Sequence, residues 1–137
     1  MMKKKKNNKG FSLVELIVVI AIMAVLVGVL APQFIGYVAK SKVSTDLQNA
    51  DSLKSAVEIA IAEADSASTA TVTVSGSGKT ITVAGTGLTF AVSSVSLKAT
   101  WTDGEYTYSA STGWGTTTDS TTTDVTPNHA LSEVFTN

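Results

Sequence analysis

The chain has 137 residues and a formal charge of −1, with ten Lys, no Arg and eleven acidic side chains. It contains no Cys, which excludes disulfide frameworks, zinc–thiolate sites and cysteine nucleophiles. The length allows one modest core, and an exported domain this small without a disulfide must draw its stability from packing or from assembly.

The charge is unevenly placed. Lys3, Lys4, Lys5, Lys6 and Lys9 all precede Phe11, and no acidic residue does. Beyond residue 10 the remaining five Lys face eleven acids, a balance of −6. The bulk of the chain therefore lacks the basic footprint of a nucleic-acid binder.

From Leu16 to Ala31 every residue is apolar or Gly, and from Phe11 onward only Ser12 and Glu15 interrupt the run. About 20 helical residues at 1.5 Å each span the roughly 30 Å of a bilayer core. With the Lys cluster directly ahead of the run, the positive-inside rule places the N-terminus in the cytoplasm and everything after Pro32 outside. The run is long for the core of an ordinary cleaved secretory signal, and Pro32 follows Val29-Leu30-Ala31, where such a cut would fall. Glu15 is the anomaly. An ionisable side chain costs about 2.5–3.5 kcal/mol at the centre of a membrane helix, so an acid in such a segment points to a function and needs a partner.

The stretch Gly10-Phe11-Ser12-Leu13-Val14-Glu15 resembles the class III signal of type IV pilins and their pseudopilin relatives. The match consists of a short Lys-rich leader ending in Gly, then Phe, then Glu as the fifth residue beyond the Gly. An unbroken apolar helix with a Pro at its far end completes it. The resemblance covers roughly the first 40 residues. It implies that a prepilin peptidase cuts between Gly10 and Phe11 and that Phe11 is N-methylated. It also implies that the chain homopolymerises through its N-terminal helix on an inner-membrane assembly platform, after storage in the lipid bilayer. Glu15 would then face the new amine of Phe11 on a neighbouring subunit and fix the axial register, a buried pair being tolerable where a lone carboxylate is not. The rival partners for Glu15 are Ser12, Lys9 and the headgroups. The filament would be a type IV pilus or, alternatively, the pseudopilus of a secretion or DNA-uptake system. A monomeric membrane-anchored binding domain is the reading from outside this class.

Pro32 ends the apolar run, and its ring opposes the carbonyl of Gly28 four residues back, so a kink or loosening is expected between Gly28 and Pro32. Beyond it the pattern becomes periodic. Phe34, Ile35, Val38, Val43, Leu47, Ala50, Leu53, Val57, Ala60, Ile61 and Ala64 recur mostly every three or four residues. Lys40, Lys42, Asp46, Asp51, Lys54, Glu58 and Glu63 fall largely between them. This predicts an amphipathic helix to about Asp65. Phe34 and Tyr37 fit either a membrane-surface aromatic belt or packing between neighbouring helices.

Past Ala70 the residues are β-branched and alternating. Residues 71–74 and 79–83 flank Ser75-Gly76-Ser77-Gly78 as a hairpin. Leu88, Phe90 and Val92 are expected on one strand face, and Val95, Leu97, Ala99 and Trp101 on another. Thr102-Asp103-Gly104-Glu105 turns into a strand at 106–109 as a further hairpin. The predicted fold class is α+β, a long N-terminal helix packed on a C-terminal antiparallel sheet of four or five strands. The organisation reads as a leader at 1–10, an apolar helix at 11–32, an amphipathic helix at 33–65 and a β domain at 66–137. Residues 116–126 hold eight Ser or Thr in eleven positions and read as an exposed low-complexity loop. O-glycosylation fits that composition, and a calcium loop through Asp119 and Asp124 is the weaker alternative, because the spacing lacks a recognisable oxygen cage. Many Gram-negative pilins close this region with a disulfide, and this chain departs from them.

No catalytic constellation, cofactor motif or metal-ligand spacing stands out. His129, the only His, reads as a surface side chain, and Trp101, Tyr106, Tyr108 and Trp114 read as strand packing. The chain is read as a structural subunit, not an enzyme.

Overall fold

A computed structural model describes residues 10, 12–64, 67–75 and 79–137. The Lys-rich leader, Phe11, the predicted helix end at Asp65 and the turn at 76–78 lie outside the described residues. The chain divides into two compact units, Met1–Ile35 and Gly36–Asn137.

In the first unit the described residues form the N-terminal part of a single helix, α1 (Leu13–Glu63), in which both Gly28 and Pro32 lie. The large apolar side chains from Leu13 to Leu30 are exposed, and none of the 18-residue apolar window is buried. It is the one helix among the described residues long and apolar enough to cross a membrane.

In the second unit α1 buries a stripe. Val43, Asp46, Ala50, Leu53, Val57, Ala60 and Ile61 are buried at the spacing of three and four that one helix face requires. The stripe packs on an antiparallel sheet of order β3-β2-β1-β4-β5. Its strands are β1 (Thr69–Ser75), β2 (Thr80–Ala84), β3 (Ser94–Ser96), β4 (Gly104–Ser109) and β5 (Gly113–Thr118). Alternation sets the faces: Ala70, Val72 and Val74 of β1 point into the core, while Thr69, Thr71 and Thr73 point away from it. The central strand β1 pairs Val72 with Val83 of β2 on one side and with Tyr106 of β4 on the other. The rings of Tyr106, Trp114 and Phe135 form a packed row, with centroids 4.8 and 5.0 Å apart, a spacing at which aromatic pairs attract. A two-stranded sheet, β6 (Thr121–Thr122) with β7 (His129–Ala130), and a 3-10 turn (Leu131–Glu133) complete the fold.

The α+β architecture and the β1–β2 hairpin match the reading of the sequence; several details do not. Asp46, placed by periodicity on the polar side of the helix, is fully buried. Its carboxylate accepts the backbone N–H groups of Lys98 and Ala99, at 2.8 Å each, and the indole N–H of Trp101 at 2.9 Å. These bonds also explain why the predicted strand through Val95, Leu97, Ala99 and Trp101 stops at Ser96. Leu97, Ala99 and Trp101 are buried as alternation predicts, but the backbone donors of Lys98 and Ala99 serve the helix carboxylate instead of a neighbouring strand. Leu88, Phe90 and Val92 lie on no strand, because the chain turns at Gly87 with φ 74°. Leu88 and Phe90 still pack on the core. The segment before Gly104 makes no hairpin with β4, which is flanked by β1 and β5. At the other end of the stripe Phe34 and Ile35, expected on the periodic face, are exposed.

The largest departure concerns residues 116–126. They are largely exposed, as expected, but they are not a loop throughout: β5 runs to Thr118, and Ser120, Thr122 and Val125 are buried. Tyr106 donates its hydroxyl to Asp119 Oδ1 at 2.6 Å and accepts the N–H of Ser120 at 2.7 Å. Asp119 also takes the hydroxyl and backbone N–H of Ser132, at 2.7 and 3.2 Å. In a chain without Cys, hydrogen bonds to acidic side chains supply the restraint of this region.

Candidate functional site

Three features of the first unit make it the candidate site: an accessible glycine, a capped helix start with an acid in its first turn, and a continuous exposed apolar surface. Gly10 is exposed, and a side chain added there would meet no atom within 4 Å. Phe11, the expected methylation site, lies outside the described residues.

Ser12 caps the helix. Its hydroxyl accepts the N–H of Glu15 at 3.2 Å, and its carbonyl accepts the N–H of Leu16 at 3.2 Å, the first bond of the helical ladder. One of the donors that a helix start leaves free, the Glu15 N–H, is thereby satisfied. Glu15 stands in the first turn of α1 with its side chain exposed, where the positive end of the helix dipole favours an anion. The Ser-x-x-Glu spacing is the signal of a capping box, and the periodicity and charge reading of the sequence passed over it. Glu15 is therefore related to Ser12 through its own backbone N–H, while its carboxylate stands open to a partner outside the chain.

The surface that follows is apolar on all sides. Between Leu13 and Leu30 every large apolar side chain is between 48% and 74% exposed, so this segment has no core of its own. A side chain added at Gly28 would meet no described atom within 4 Å. Pro32, inside α1, lacks the N–H that would bond the Gly28 carbonyl, which makes residues 28–32 the weakest part of the backbone ladder. Tyr37, also exposed, lies one turn beyond Pro32.

Elsewhere the expected site residues have protein partners. His129 Nδ1 lies 3.1 Å from Glu133 Oε2. Asp124 accepts the N–H of Thr100 at 2.7 Å, and both oxygens of Asp119 are engaged as described. Among the described residues no three metal-ligating side chains gather. Burial acts to raise Asp119, but the hydrogen bonds from Tyr106, Ser132 and Ser120 prevail and hold its carboxyl below the usual value. Glu133 is lowered by the N–H of Ala130 and by His129. Burial, with the bond to Asp119, pushes the Tyr106 hydroxyl well up.

The family described as "Prokaryotic N-terminal methylation motif" matches residues 5–31, the segment that holds Gly10, Phe11, Glu15 and most of the apolar run. Over 58 residues the chain is 40% identical to a "Fimbrial protein" of Pseudomonas aeruginosa, covering 42% of this chain and 38% of that one. It is 35% identical over 57 residues to the "Type IV major fimbrial protein FimA" of Dichelobacter nodosus, covering 42% and 36%. It is 43% identical over 60 residues to the "Prepilin peptidase-dependent protein A" of Clostridium perfringens, covering 43% of each chain. The N-terminal part of the chain is similar to type IV fimbrial proteins. The alignments span about two-fifths of the length of these curated relatives, so the pilin signature resides in the N-terminal part of the molecule. No solved structure matches the chain.

Proposed function

We propose that the protein is a prepilin, the structural subunit of a type IV pilus filament. Hydrolysis of the Gly10–Phe11 peptide bond by a prepilin peptidase removes the Lys-rich leader and frees the amine of Phe11, which is then methylated. Before assembly the apolar helix is held in the cytoplasmic membrane, with the leader inside and residues 36–137 outside. Assembly on an inner-membrane platform transfers the same apolar surface from lipid to the helices of neighbouring subunits. The Glu15 carboxylate pairs with the Phe11 amine of a neighbour, which neutralises both charges and selects the axial register. Residues 28–32 supply the local give that curvature of the packed helices needs. The subunit acts by packing and display, not by catalysis.

One observation carries this reading: an apolar helical surface with no cover inside its own chain, preceded by an open Gly10 and a capped, exposed Glu15. In water such a surface is strongly unfavourable, so lipid or other copies must cover it.

The test is N-terminal peptide mass spectrometry of the protein from native cells, comparing the sheared extracellular fraction with the envelope. The pilus reading expects a chain beginning at methylated Phe11, enriched in the sheared fraction. The same product confined to the envelope would indicate a short pseudopilus instead. A chain that retains residues 1–10 would overturn the proposal.

A further inference from the structure

Residues 97–102 connect β3 to β4 without joining either sheet, yet their backbone donors are engaged from three directions. Leu97 N–H donates to the Lys79 carbonyl at 2.8 Å, and Thr102 N–H to the Thr121 carbonyl at 2.9 Å. Between them, Lys98 and Ala99 donate to the two oxygens of Asp46, and Thr100 donates to Asp124. Consecutive amides of one short segment are thus held by a carboxylate from α1 on one side and a carboxylate from the C-terminal segment on the other.

We propose that Asp46 and Asp124 act together as a clasp that sets the register of α1 against the sheet and fastens the C-terminal segment to it. The apolar stripe of the helix sets that register only in part. A slide of one turn puts Leu47 in place of Val43, Val57 in place of Leu53, Ala60 in place of Ala56 and Ile61 in place of Val57, all apolar, but it also puts Lys54 in place of Ala50 and Asp65 in place of Ile61. The same slide puts Ala50 where Asp46 stands, and a slide the other way puts Lys42 there. Neither side chain accepts a hydrogen bond, and the donors of Lys98, Ala99 and Trp101 would be buried without partners. A buried polar group that excludes alternative registers is the best-attested use of such groups. Asp124 extends the effect, because it holds the next amide of the same segment only while that segment is seated on Asp46.

The clasp is testable by residue-resolved amide exchange on the full chain in detergent micelles. Asp46→Asn keeps the side-chain shape and one acceptor oxygen. It is expected to lower protection of the Lys98 and Ala99 amides by about tenfold or more, with β1 and β4 unchanged. Asp124→Asn should lower protection at Thr100 and, through the shared segment, at Ala99. The double variant should lose less than the product of the two single effects, the signature of coupled groups. Asp46→Ala should give two sets of methyl contacts from Leu53 and Val57 to the sheet, one displaced by a turn. Unchanged protection in Asp46→Asn, independent effects in the double variant, or a uniform loss of protection across the domain would overturn the clasp. A single undisplaced contact set in a folded Asp46→Ala chain would overturn its role in register.

Discussion

Tyr106 and Asp119 show how much of this molecule depends on single polar contacts. The Tyr106 hydroxyl both donates to Asp119 and accepts from Ser120, so Tyr106→Phe leaves two partners unmatched while keeping the ring. Chemical denaturation should show a loss of about 1–3 kcal/mol. The same cluster sets a pH dependence. Asp119 and Glu133 have folded values below their ordinary ones, so the stabilisation they give is full above the unfolded carboxylate value of about 4. It is lost as pH falls through the lowered folded values. The thermal midpoint should therefore change little between about pH 7 and 5 and fall below about pH 4, with a shallower fall in Asp119→Asn. At the other end of the chain, Glu15→Leu removes the carboxylate but keeps the Ser12 cap, which uses only the backbone N–H of residue 15. Membrane insertion should persist, and recruitment into filaments, measured as sheared pilin against the envelope pool, should be lost.

The elements differ in what they ask of their side chains. Along α1, Leu53 is fully buried against the sheet, whereas Ile20 is 52% exposed. Leu53→Ala should destabilise the domain by about 2–5 kcal/mol through lost burial and the cavity left behind. Ile20→Ala should leave the unfolding midpoint of the domain where it is and reduce filament yield. Denaturant titration followed by Trp fluorescence, beside quantified sheared filaments, separates the two roles. The stripe of α1, the β1–β2 hairpin and the apolar run were all legible in the sequence, because each repeats a local period that burial imposes. The strand predicted through Leu97 and Ala99 shows the limit of that logic. Alternation predicted correctly which side chains are buried, but it carries no information on whether the backbone donors meet a strand or a carboxylate.

For the molecule as a whole, the division at residue 35 separates two demands on stability. Unit Gly36–Asn137 holds the whole of the buried core, while the apolar surface of the first unit has no cover from its own chain. Residues 36–137 expressed alone should be monomeric in water, with a cooperative unfolding transition. The full chain should require detergent or lipid to stay dispersed. Analytical ultracentrifugation and a melt of each decide this, and aggregation of the shorter chain would contradict it.

The residues that sequence alone placed are those whose role depends on their neighbours in the chain. Gly10, Phe11 and Glu15 lie in one short stretch that matches the N-terminal methylation motif, Pro32 closes the apolar run that begins at Leu16, and the amphipathic period beyond it is a property of one helix. The Ser12 cap is equally local, its partner being three residues away, although the reading of the sequence passed over it. Asp46 and residues 116–126 were decided by tertiary structure. The donors that satisfy Asp46 stand 52, 53 and 55 residues away, and a Thr-rich segment is a loop or an ordered closure according to whether Tyr106 and Ser132 reach it. Local pattern records which side chains must avoid water. Where a buried carboxylate finds its donors is settled only when distant segments converge, because the cost of burying it is cancelled by contacts that no short stretch of chain contains.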